Sequence, residues 1–146
     1  MRDQTAVILL FAFILITGVR AQESQVFKGR LSPVPISADM VSRITGSGSV
    51  TAQLSGATLT IAGLFTGLQS PATQAHVHIG ERTGVRGPAV FDVRVDKATT
   101  GSLSATIELS ESQIASLRRG FFYLQIHSET AVDGNLWGWL LTEEKK

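Results

Sequence analysis

Apolar residues recur at every second position in run after run from Gly46 onward, and glycine, proline or short polar clusters separate the runs. That period belongs to strands with one face buried, because successive side chains of an extended backbone point to opposite sides. Val50, Ala52 and Leu54 alternate with Thr51, Gln53 and Ser55, Gly56 marks a turn, and Leu59 and Ile61 alternate with Thr58 and Thr60, so 47–64 predicts a hairpin. Further strands are expected at 73–79, at 89–95 with Phe91, Val93 and Val95 on one face, at 102–109 with Leu103, Ala105, Ile107 and Leu109 on one face, and at 121–127 and 135–141. A first strand at 26–31 is closed by Pro33 and Pro35, which makes it an edge or a loop. Segments 80–88, 96–101 and 128–134 carry turn and loop chemistry. One helix of about two turns interrupts the pattern: Ser110 caps it, Gln113 completes a capping box, Ile114 and Leu117 share a side, and Gly120 closes it. The expected fold is all-β, an antiparallel, Greek-key-like β-sandwich or partly closed barrel of seven or eight strands with one short helix.

Residues 1–21 stand apart from this pattern. Arg2 precedes an apolar run over 6–19, and Val19-Arg20-Ala21 fits a cut ahead of Gln22, so the segment reads as a secretory signal peptide. The run is about 14 residues, short of the roughly 20 that span a bilayer, so no integral membrane span is expected after cleavage. Residues 22–146 are then one exported domain, extracellular or periplasmic. The chain has no cysteine, so its stability rests on burial and hydrogen bonding. The leader holds two of the thirteen basic residues and one of the twelve acidic ones, which leaves eleven of each. That balance gives no footprint for nucleic acid. Arg118-Arg119 and Lys145-Lys146 read as solvated surface, and Asn135 is not in a glycosylation sequon.

All three histidines lie in two of the expected strands. His76 and His78 oppose Ala75, Val77 and Ile79, while Tyr123, Gln125 and His127 oppose Phe122, Leu124 and Ile126. With the apolar faces in the core, three imidazoles stand on the opposite face. Three imidazoles with one open position form a coordination set for copper or zinc, so His76, His78 and His127 are the candidate metal ligands. The alternative is three rings that only hydrogen-bond on a strand surface. Trp137 and Trp139 share the noncore parity and, with Tyr123 and Gln125, are candidates for an exposed binding face for a protein or small ligand. The alternative is a layer buried under a loop. Nucleophilic catalysis has no support, since there is no cysteine and no Gly-x-Ser-x-Gly, and the carboxylates are scattered singly.

Ala75-His76-Val77-His78-Ile79-Gly80, then Gly84-Val85-Arg86-Gly87-Pro88, the segment 109–117 with Gly120, Tyr123 with His127, and finally 134–140 stand in the order seen in the CHRD domain, the module named after chordin. The chain resembles that family over about residues 26–141. The resemblance implies a secreted β-sandwich module, repeated in a binder of bone morphogenetic proteins and single in many bacterial exported proteins, and it supplies no activity by itself. It also implies that the two histidine strands lie near one another. The chain departs from the family where a Gly-Glu-Ile-Arg-Gly-Gln-Leu type of sequence is usual and Gly134-Asn135-Leu136-Trp137-Gly138-Trp139-Leu140 stands here. The histidine strand also resembles, locally, the copper-binding strand of copper/zinc superoxide dismutase, but three histidines are too few for its two metals.

Three readings follow: a non-enzymatic exported binding or structural module, a mononuclear copper or zinc protein, and, ranked last, an enzyme using that metal. The exported chain is expected to begin at Gln22, as intact mass or N-terminal sequencing will show; retention of Met1 in the exported protein would contradict the leader assignment.

Overall fold

The computed structural model describes residues 23–35 and 37–142. The expected leader and the charged end of the chain lie outside the described residues. The strands are β1 (Gln25–Pro33), β2 (Ser47–Ser55), β3 (Thr58–Thr66), β4 (Ala72–Ile79), β5 (Ala89–Val95), β6 (Gly101–Glu108), β7 (Phe122–Ser128), β8 (Ala131–Trp139) and the two-residue β9 (Leu141–Thr142). They pair in the order β2-β3-β6-β5-β4-β7-β8-β1, and β1 pairs back to β2, so eight antiparallel strands close into a barrel with β9 added along β1. Strands β4, β5 and β6 follow one another while β3 returns beside β6, which is a Greek key.

The inward faces match the alternation. Phe27 and Leu31, Val50, Ala52 and Leu54, Leu59, Ile61 and Phe65, Ala75 and Val77, Leu103 and Ile107, and Phe122, Leu124, Ile126 and Leu136 form one buried cluster. Helix α1 (Glu111–Arg118) adds Leu117 to it, and its capping box is formed by Ser110 and Gln113 as the sequence predicts. Gly120 follows at φ +75°, where a side chain is disfavoured.

Two expectations are corrected. β1 is no edge: it pairs with β2 along 25–31 and with β8 through Ser32↔Trp137 and Pro33↔Leu136. The missing N–H of Pro33 falls at the last ladder position, where its loss is tolerated. Closure needs close backbone approach at this seam, and a Cβ on Gly138 would stand 2.6 Å from the Arg30 carbonyl oxygen. Segment 128–134 is no loop either, because β8 starts at Ala131, opposite Ser128. Its polar first residue, Ser128, misleads a reading by composition, since it is fully buried against the equally buried Asn135. The Asn135 amide accepts from Ser128 Oγ at 2.9 Å and donates to the Thr45 carbonyl at 2.7 Å.

Asn135→Ala leaves the buried Ser128 hydroxyl without that acceptor and the Thr45 carbonyl without that donor. A loss of about 2 kcal/mol is expected in urea unfolding, and a loss under about 0.5 kcal/mol would show that this pair does not support the β7–β8 junction.

Candidate metal centre

β4 lies in the wall with β5 on one side and β7 on the other, so ladder hydrogen bonds on both sides fix its outward row. The register pairs His78 with Tyr123, His76 with Gln125 and Gln74 with His127. His127 is therefore a diagonal neighbour of His76, a separation that long side chains bridge. The rings of His76 and His127 have centroids 5.2 Å apart, and those of His76 and His78 are 6.1 Å apart. One nitrogen from each histidine lies within 4.8 Å of the other two. The resemblance-based expectation that the two strands adjoin is thus met, and all three imidazoles come together.

In two of the three rings the second nitrogen is held by a carbonyl acceptor. His78 Nδ1 lies 3.0 Å from the Gly87 carbonyl and His127 Nδ1 2.8 Å from the Val132 carbonyl. A carbonyl only accepts, so both Nδ1 atoms carry the hydrogen and both Nε2 atoms of the neutral rings carry lone pairs. His76 Nε2 lies 3.5 Å from Oδ1 of the exposed Asp92 carboxylate. With His127 Nε2 the acceptor, His76 Nδ1 donates to it at 3.3 Å in the metal-free ring pair, and a shift of that hydrogen to Nε2, beside Asp92, frees both nitrogens. Two ligand nitrogens on a tetrahedral ion with bonds of about 2.05 Å stand about 3.3 Å apart. His78 Nε2 is buried and has no hydrogen-bond partner. Binding would draw the most distant pair, within 4.8 Å of each other, together by up to about 1.5 Å to reach tetrahedral spacing.

An orphaned buried acceptor is costly, and among the described residues His78 Nε2 is the one buried side-chain polar atom without a partner. Desolvation lowers the pKa of His78, the Gly87 hydrogen bond opposes it, and the positive fields of His76, His127 and Arg86 add to the lowering. His127 is also lowered, mainly by desolvation and against the Val132 hydrogen bond. Both shifts favour the neutral ring, the form that binds metal.

Aromatic packing on the same outward face supports the cluster. Tyr123 stacks on His78 at 4.7 Å with 17° between planes, its hydroxyl donates to the same Gly87 carbonyl at 3.0 Å, and the Gly87 N–H donates back to that hydroxyl at 3.2 Å. Trp139 lies 4.6 Å and Trp137 5.7 Å from the Tyr123 ring. Tyr123 is only 1% exposed and Gln125 4%, so these two do not offer the exposed face expected of them; Trp137 and Trp139 are half-buried. Gln125 Nε2 donates to the Asp133 carbonyl at 3.0 Å and lies 3.5 Å from His127 Nε2, which places it beside the ligands rather than among them.

Sequence reasoning missed Asp92, Gly87, Val132 and Arg86. Asp92 was accessible to it, because Phe91 and Val93 face the core and Asp92 must point outward beside His76. The two carbonyls carry no side-chain signal. Gly87 does carry one: a Cβ there would stand 1.9 Å from the Ile79 carbonyl oxygen, so this close approach admits glycine alone.

The family model of the CHRD domain matches residues 30–140. No curated protein and no solved structure matches the chain.

With folded pKa values of His78 and His127 below the unfolded value near about 6.5, the unfolded chain binds more protons as pH falls through that value. The metal-free protein is therefore expected to lose stability from pH 7.5 toward 5 and to level off below the folded values. Thermal unfolding in chelator will show this, and the His78→Gln, His127→Gln double variant is expected to flatten the slope; an unchanged slope would contradict the assignment.

Proposed function

The chain belongs to the CHRD domain family, and on that premise we propose that it is an exported binding module that holds one zinc or copper ion through His76, His78 and His127. The observation that carries this reading is the buried, partnerless Nε2 of His78, in a ring whose other nitrogen is fixed by the Gly87 carbonyl. Structural polar groups are satisfied on all sides, whereas a metal ligand needs one oriented lone pair and one held N–H. The Val132 carbonyl fixes His127 Nδ1 in the same way, and His76 Nε2 lies beside Asp92.

Neutral imidazoles suit both metals, with copper(II) favoured by intrinsic affinity and zinc by tetrahedral geometry. Export rests on the apolar run after Arg2 and the cut after Ala21. Among the described residues no helix is long and apolar enough to cross a membrane. The partly exposed edges of Trp137 and Trp139 form the rim at which a protein or small ligand would meet the site, with Tyr123 and Gln125 as its support.

Titration of chelator-treated protein with Zn(II) or Cu(II), followed by calorimetry, is expected to give one ion per chain at about micromolar affinity or tighter. Each of His76→Ala, His78→Ala and His127→Ala is expected to weaken it by about a hundredfold or more. Binding weaker than about millimolar, or unaffected by His127→Ala, would falsify the shared site.

A further inference from the structure

This inference deepens the metal reading above and rests on it. Three neutral imidazoles leave a divalent ion with both of its charges and, in tetrahedral coordination, with one position that the histidines do not fill. Asp92 beside His76 and Asp133, whose field reaches His127, are negative, while Arg86, whose field reaches His78, is positive. Two carboxylates against a guanidinium and a dication leave the centre with about one positive charge. Asp92 does not lie among the converging nitrogens: it meets His76 at Nε2, whereas Nδ1 of that ring faces His127.

Arg86 is the group with both the charge and the anchorage to receive a ligand there. It directly precedes Gly87, whose carbonyl fixes His78 and whose position tolerates no Cβ, so its backbone is held next to a ligand ring. Its Cζ lies 5.3 Å from the Trp137 ring centroid, a cation–π contact that holds the guanidinium while leaving its donors available. We propose that the fourth ligand is a carboxylate from outside the chain, one oxygen on the ion and the other paired with Arg86. A planar guanidinium fork matches a carboxylate, and a monoanion matches the residual charge. The carboxylate belongs either to a free small acid or to an acidic side chain of a partner protein.

The test uses Co(II)-loaded full-length exported protein, whose visible spectrum reports the ligands, with metal content checked by elemental analysis in every sample. Acetate and an end-blocked tripeptide with one central glutamate are titrated separately. A saturable spectral change with either supports the proposal; tighter binding of acetate points to a free acid, and tighter binding of the peptide to a partner's side chain. Arg86→Ala is expected to weaken that binding about tenfold at unchanged metal content, and Arg86→Lys to recover part of it. A fully loaded protein whose spectrum ignores both probes to about 100 mM, or an Arg86→Ala variant that binds as tightly as the parent, overturns the proposal while leaving the metal site standing. Absence of cobalt from the parent protein overturns the metal reading, and this inference with it.

Discussion

The carbonyl of Gly87 accepts two hydrogen bonds, one from the Tyr123 hydroxyl and one from His78 Nδ1, and the cluster depends on that double acceptance. It selects the His78 tautomer, holds the ring parallel to Tyr123 and leaves Nε2 as a buried lone pair without a partner. A carbonyl has two lone pairs to give, so neither donor displaces the other. Only a residue without a Cβ brings that carbonyl so close to β4. The glycine-rich loop thus acts at the site through its backbone, as glycine commonly does where main chain approaches a functional group.

Barrel closure makes this local geometry durable. The histidines stand on adjoining strands in the wall, and β4 is paired on both flanks, so their spacing is fixed by ladder hydrogen bonds rather than by loop conformation. Behind them Ala75, Val77, Leu124 and Ile126 are buried in the core, and displacing the outward row would move these side chains too. Beside them, on the same outward face, Tyr123, Trp137 and Trp139 pack against one another, with Tyr123 stacked on His78. The result is a set of donors with little freedom to turn away from one another, which lowers the ordering cost of binding an ion.

Much of this was legible in the sequence. Period-two alternation gave the core face of nearly every strand, and the same parity put His76, His78, Tyr123, Gln125 and His127 on the opposite side. Ser110, Gln113 and Gly120 bounded the helix because capping is a local interaction. Long-range register was not legible: alternation assigns a face but does not state that Gln74, rather than His76, sits opposite His127. The main-chain acceptors at Gly87 and Val132 left no mark of their own type. Turn-like composition misled at 131–134, where Ala131, Val132, Asp133 and Gly134 form the start of β8, and at Pro33, where β1 closes the barrel instead of ending at an edge. The tryptophans were placed on the correct side, but their burial depends on a loop whose path alternation does not encode.

The central claim is that three imidazoles of this fold share one ion. X-ray absorption at the zinc or copper edge of the loaded protein tests it most directly, because it counts scatterers and recognises imidazole rings. The account predicts three imidazole nitrogens at about 2.0 Å and one oxygen ligand. A first shell of oxygens with one imidazole or none would contradict it.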